Sequence, residues 1–138
     1  SLLRSSKGKR LSARDVFRAR HVPRLIFANA CFSGVVRAGK PFTLQESNRS
    51  LAGLAQAFFE RGVQNYIGTG WPVDDAAALK FAKVFYTEAL SGNDLGSSLA
   101  KAREAILAYG STWGAYQHYG QATAKLITLS ERNVARNR

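Results

Sequence analysis

The chain has 138 residues, 46% of them hydrophobic and 21% charged, which excludes an intrinsically disordered segment and is sufficient for one globular domain. Its single Cys excludes an internal disulfide framework and favours a reducing compartment, so we expect a cytoplasmic protein, and no apolar run predicts a membrane span. The 20 Lys and Arg exceed the 9 Asp and Glu, and much of the resulting charge of +11 lies at the two ends.

The first predicted element is a short helix over 12–20, with Ser12 as its cap. Pro23 ends helical geometry, and the continuous apolar run 25–28 is typical of a strand that is covered on both faces. Cys31 comes directly off the carboxyl end of this strand.

The segment 32–48 contains the Gly and Pro residues of a loop and shows no sustained period. Ser50 is then expected to cap a helix that Gly62 stops, because apolar residues between them follow helical spacing. A second strand is predicted over 63–69.

Asp74 and Asp75 open a third predicted helix, which ends in a polar cluster after Leu90. Its apolar face is predicted to consist of Ala78, Phe81, Ala82, Phe85 and Ala89. A fourth helix is predicted over 97–109, with Leu99, Ala102, Ile106 and Tyr109 on one stripe and Gly110 as terminator. The segment 113–119 alternates as a last strand. This order of elements predicts an α/β fold with a mainly parallel sheet flanked by helices.

The segment from Asn29 to Gly34 places the thiol of Cys31 beyond the carboxyl end of a strand, followed by small residues. In open parallel sheets this edge is where ligands bind, so Cys31 is a candidate nucleophile. A small buried hydrophobe is the alternative interpretation of a lone Cys, and the pattern alone leaves both open.

Several segments together resemble the CHAT peptidases, caspase relatives found beside tetratricopeptide repeats in bacteria. The segment 24–34 resembles the family's nucleophile block, and 70–75 resembles its Trp-x-Val-x-Asp block. Three further matches follow in the family's order, at Phe85-Tyr86, Ala100 to Arg103, and Trp113 to Gly120. The resemblance covers about residues 11–121 and extends more distantly to separase and caspases. It implies the C-terminal half of a caspase-like α/β/α sandwich, with 1–10 as a basic flank and 122–138 as a basic tail.

This resemblance implies a cysteine endopeptidase acting on protein substrates, with no cofactor and no metal. Cys31 would be the nucleophile, and its own backbone N–H would be one oxyanion donor. The family carries its catalytic His in an upstream His-Gly block, which neither His21 nor His118 matches. We therefore expect the base to come from an upstream segment or a second chain, the remaining alternative being that none is supplied. A regulatory sensor or partner protein, in a bacterial defence or cell-death setting, is also implied.

The Trp-x-Val-x-Asp block suggests the substrate-binding residues. Asp75 holds the position of a carboxylate that lines the specificity pocket in related peptidases, where it would select Arg or Lys. Gly70, Trp71 and Asp74 are expected in the same region. The alternative is structural, with Asp74 as helix cap, Asp75 in the first turn and Trp71 in the core.

A second function class stays open beside the peptidase. The chain would then be a non-catalytic caspase-like scaffold with Cys31 as a core residue. Its basic ends would dock an acidic protein or the phosphates of a nucleic acid. The alternative is that these basic ends are solvated flanks with no binding role.

Overall fold

The computed structural model describes residues 2–4, 10–12, 18, 20–29 and 43–128. The chain divides into two compact units, Ser1–Val73 with Ala115–Gly120, and Asp74–Gly114 with Gln121–Arg138. The described elements of the first unit are β1 (Leu2–Arg4), β2 (Arg10–Ser12), β3 (Leu25–Ala28), α1 (Leu44–Glu60), β4 (Asn65–Thr69) and β5 (Tyr116–Tyr119). Those of the second are α2 (Asp75–Leu90), α3 (Leu95–Ala105) and most of a 3₁₀ segment (Leu107–Ala115).

The first two strands form an antiparallel pair, with Leu2 opposite Ser12 and Arg4 opposite Arg10. The basic N-terminal segment therefore includes strand structure that its composition did not predict. The helix predicted over 12–20 falls largely outside the described residues, and Ser12 itself ends β2.

A three-stranded sheet in the order β3-β4-β5 forms the centre of the first unit. β3 and β4 are parallel, in a register that runs from Leu25 opposite Asn65 to Ala28 opposite Gly68. A parallel pair needs a crossover connection, and α1 lies in that connection. The strand–helix–strand order predicted from the sequence is confirmed here.

The last strand runs antiparallel to β4, with Tyr116 opposite Thr69 and Tyr119 opposite Tyr66. The described sheet therefore contains one parallel and one antiparallel pair of strands. The α/β class is confirmed, and the arrangement is compatible with the predicted sandwich. Among the described strands, β3 pairs with β4.

One face of α1 packs on the sheet through a cluster of side chains that are almost completely buried. Its members are Ala28, Leu51, Leu54, Ala55, Phe58, Val63 and Tyr66, with Ile26 and Tyr119 packed against them. Burying such side chains stabilises the fold by about 1.5–3 kcal/mol for each large one. The cluster fixes α1 against the strand that leads towards Cys31.

The start of α1 corrects the prediction that the loop extends to Asn48 and that Ser50 caps the helix. The part of the predicted loop over 32–42 lies outside the described residues. The helix begins at Leu44 after the cap Thr43. The Thr43 hydroxyl accepts the N–H of Glu46 at 3.3 Å, and the Glu46 carboxylate accepts the N–H of Thr43 at 2.8 Å. This capping box satisfies two backbone donors and starts the helix before its apolar stripe begins.

In the second unit, α2 begins after Asp74 as predicted and buries Ala77, Ala78, Phe81, Phe85 and Ala89. Ala82, also predicted on this face, is half-buried. The helix ends at Leu90, before the C-cap Ser91.

The fourth predicted helix corresponds to α3 and is shorter than predicted. Asp94 caps it and it ends at Ala105. Ile106 leaves helical geometry with φ −113° and ψ 12°, and a 3₁₀ segment follows. The predicted extension to Tyr109 is therefore wrong, and that side chain is 38% exposed. Trp113, predicted in the last strand, belongs to the 3₁₀ segment.

Candidate active site

The carboxyl ends of β3 and β4 lie at one edge of the sheet, where open parallel sheets bind ligands. β3 ends at the buried Ala28, and Asn29 follows it as an exposed residue. Cys31 comes two residues later and lies outside the described residues, as does its backbone N–H, the predicted oxyanion donor. The described part of the site is therefore the strand end that leads to Cys31.

A hydrogen bond crosses the sheet at this edge. The hydroxyl of Tyr116, at the start of β5, donates to Oδ1 of Asn29 over 2.7 Å. The Tyr116 ring stacks with Phe27 of β3, at 6.3 Å between centroids and 27° between planes. Burial raises the pKa of Tyr116 to about 12, so the hydroxyl keeps its proton at neutral pH and acts as the donor.

Gly70 follows β4 at the same edge. Its backbone N–H donates to the carbonyl of Ala115 at 2.8 Å. A Cβ at Gly70 would lie 3.0 Å from Oδ1 of Asn48 on α1, so a larger residue would displace that side chain. Trp71 is half-buried, which leaves both of its predicted roles, pocket wall and core residue, open.

Asp74 and Asp75 start α2 in the second unit. Oδ1 of Asp74 accepts the N–H of Ala77 at 2.9 Å, which confirms the capping role of Asp74. Asp75 lies in the first turn and is exposed, where the helix dipole favours its negative charge. The role of Asp75 in a specificity pocket stays a prediction.

The two imidazoles lie towards the other end of the sheet. Nε2 of His118 is 3.0 Å from Oδ1 of Asn65, the first residue of β4. His21 is exposed and precedes the amino end of β3. Neither side chain stands at the edge where Asn29 emerges, so the described residues bring no imidazole to it.

A comparison with models of protein families identifies the family of the chain. A family model described as CHAT domain matches residues 2–121. The chain belongs to the CHAT domain family. This family is related to caspase-like peptidases, which supports a protease-like role for the chain. No curated protein is matched by the chain.

The matched region of this CHAT domain contains site residues that the sequence reasoning did not single out. Asn29 and Tyr116 both stood inside segments that resemble family blocks, but no local pattern shows that they are hydrogen-bonded, because 87 positions separate them. Asn48 was assigned to a loop, so its approach to Gly70 was also missed. Within the described ranges of this CHAT domain, no helix combines the length and apolarity needed to cross a bilayer.

Proposed function

We propose that this CHAT domain is the nucleophile-bearing part of a cysteine endopeptidase, with Cys31 as the nucleophile. The proposal rests on one observation: the chain leaves the carboxyl end of a parallel strand at Asn29, and Cys31 follows within two residues. This is the edge at which open α/β sheets perform chemistry. Membership of the CHAT family gives the thiol at this position its peptidase interpretation.

The reaction has two steps. The Cys31 thiolate attacks the carbonyl carbon of a peptide bond, the C–N bond breaks, and the leaving amine takes a proton from an imidazolium. Water then hydrolyses the thioester and restores the thiol. The backbone N–H of Cys31 would donate to the oxyanion that forms in each step.

The general base would come from an upstream segment or from a second chain. A parallel strand next to β3 would end beside the carboxyl end of β3. A His at the end of such a strand would reach the thiol, whereas His118 is hydrogen-bonded to Asn65 towards the opposite end.

Substrate binding would involve Gly70 and Trp71, and Asp75 would supply the charge that selects the substrate, with Asp74 supporting the helix start. Asp75 is exposed at a helix N-terminus, so its carboxylate is available to a basic side chain. A substrate with Arg or Lys before the scissile bond would fit this charge. A regulatory sensor or partner, in a cytoplasmic bacterial defence system, is the setting that the family resemblance suggests.

Labelling of the single Cys tests the proposal. The protein, expressed with the segment encoded upstream of Ser1, is treated with a peptidyl-arginyl chloromethylketone, and adducts are mapped by mass spectrometry. We expect Cys31 to react at least about tenfold faster than a cysteine in a free peptide, because bound substrate groups orient the reagent. Iodoacetamide, which carries no peptide, is the matched control and should show a much smaller acceleration.

A chloromethylketone rate no faster than that of the free peptide would overturn the proposal. It would favour the scaffold, in which Cys31 is a core residue and the basic ends dock an acidic partner. If the chain is such a scaffold, we expect its affinity for a polyanion to fall steeply as the salt concentration is raised.

A further inference from the structure

Tyr116 reaches across the sheet to a strand with which its own strand does not pair. β4 lies between β3 and β5, yet the Tyr116 hydroxyl contacts Asn29, the first residue after β3. The contact is therefore a side-chain tie between non-adjacent strands. It lies at the carboxyl edge, two positions before Cys31.

The donor side of this tie is held firmly. Tyr116 is 1% exposed, its backbone pairs with Thr69, and its ring stacks with Phe27. The preceding residue, Ala115, accepts the N–H of Gly70. A ring fixed by backbone pairing and stacking loses little further entropy when it donates a hydrogen bond.

The acceptor side is the exposed end of a four-residue strand. Asn29 comes directly after the ladder that pairs Leu25–Ala28 with β4. The side chain of Asn29, the last described residue before Cys31, is therefore held by a buried phenol. Nucleophilic catalysis is sensitive to the placement of the nucleophile, since a displacement of about 1 Å costs about a hundredfold in rate.

We propose that Tyr116 is a positioning residue that orients the segment bearing Cys31 through its hydrogen bond to Asn29. This inference rests on the proposed cysteine peptidase function. Tyr116 does not touch substrate; it acts by holding the point where the chain leaves β3.

Replacing Tyr116 by Phe tests the tie with little loss of packing. Tyr116→Phe keeps the ring and its stacking with Phe27 and removes only the hydroxyl. In the protein with its upstream segment, we expect kcat for a peptidyl-arginyl amide to fall about tenfold while KM stays within about twofold. A merely structural role would lower the folded fraction and would not separate kcat from KM at a temperature where circular dichroism shows full folding.

Asn29→Ala supplies a second variant on the exposed side of the tie, which keeps the test decisive if Tyr116→Phe folds poorly. If both residues act through one bond, the double variant should lose no more activity than Tyr116→Phe alone. Tyr119→Phe is the control, because it removes a hydroxyl from the other end of the same strand and should leave kcat unchanged.

Two results would overturn the inference. An active wild type with unchanged kcat in Tyr116→Phe and Asn29→Ala would remove the positioning role and leave the peptidase function intact. A wild type that cleaves nothing and gains no selective Cys31 labelling would remove the peptidase function, and the positioning role with it.

Discussion

At the scale of single residues, Asp74 and Asp75 are neighbours in the sequence with different surroundings. Asp74 is extended, with φ −64° and ψ 136°, and its carboxylate is bonded to the N–H of Ala77. Asp75 is already helical and its carboxylate faces solvent. The two carboxylates should therefore respond differently to substitution.

Asp74→Ala should destabilise the protein. It leaves the Ala77 N–H without its cap, which typically costs about 1 kcal/mol of unfolding free energy. Urea unfolding at neutral pH measures this loss. Asp74→Ser retains a capping oxygen and should recover most of it. Equal stability of the Ala variant and the wild type would contradict the capping role.

Asp75→Asn should change substrate preference and lower the free energy of unfolding by no more than about 1 kcal/mol, the usual contribution of a charge at a helix N-terminus. The amide keeps the shape of the side chain and removes the charge that would attract Arg or Lys before the scissile bond. Cleavage of matched arginyl and leucyl peptides measures the effect, and we expect the preference for Arg to fall about tenfold or more. An unaltered preference would remove Asp75 from the pocket.

At the scale of elements, the packing of α1 on the sheet depends on Gly68 of β4. A Cβ there would lie 2.8 Å from Cδ1 of Leu51 and 2.9 Å from the hydroxyl of Tyr66. Both neighbours are fully buried, so they have little room to move. Gly53 lies on the exposed side of α1, where an added Cβ would meet no atom of another element within 4 Å.

Gly68→Ala should therefore destabilise the protein by about 1–3 kcal/mol, the usual cost of overpacking a core. Gly53→Ala is the matched control and should stabilise it by about 0.5–1 kcal/mol, because Gly is unfavourable inside a helix. Denaturant unfolding compares the two. The same sign of change in both variants would contradict the close approach of α1 to β4.

The cap of α3 gives a pH dependence. Hydrogen bonds from Ser97, the backbone N–H first, lower the pKa of Asp94 below its ordinary value of 3.8. A lowered folded-state pKa means that the ionised cap stabilises the fold above pH 3.8, and that this contribution is lost as pH falls through the lowered pKa. Asp94→Ala should therefore be less stable than the wild type at neutral pH, and the difference should narrow in acid.

Urea unfolding in steps from neutral pH to below pH 3.8 measures this difference. Asp94→Asn is the control, because it caps without titrating, and its advantage over Asp94→Ala should stay constant. A gap between wild type and Asp94→Ala that is independent of pH would show that the ionised carboxylate has no stabilising role.

A helix was predictable from the sequence where its capping residue directly precedes the periodic apolar residues of its buried face. α2 meets this condition, since its cap at Asp74 directly precedes its buried stripe. α1 does not, because its capping box at Thr43 comes well before its first buried residue, Leu51. The direction of β5 depends on packing between distant segments, so no local pattern contains it.

At the scale of the whole molecule, the order of blocks predicted the CHAT family, and the family match over residues 2–121 confirms it. The sequence also predicted that the chain leaves a strand just before Cys31, as β3 now shows. It did not predict the hydrogen bond between Asn29 and Tyr116, because contacts between positions far apart in the sequence depend on how the strands pack in the folded protein. The net charge of +11 bears on partners and not on the fold.

Peptide-bond cleavage by the protein with its upstream segment tests the central claim, that Cys31 is a peptidase nucleophile, most directly. An unfolded protein substrate is incubated with the wild type and with Cys31→Ala, both verified as folded, and the new termini are mapped by mass spectrometry. We predict cleavage after basic residues by the wild type and a loss of at least about a thousandfold in Cys31→Ala, because the covalent step then has no nucleophile. Cleavage by Cys31→Ala at the wild-type rate would contradict the account.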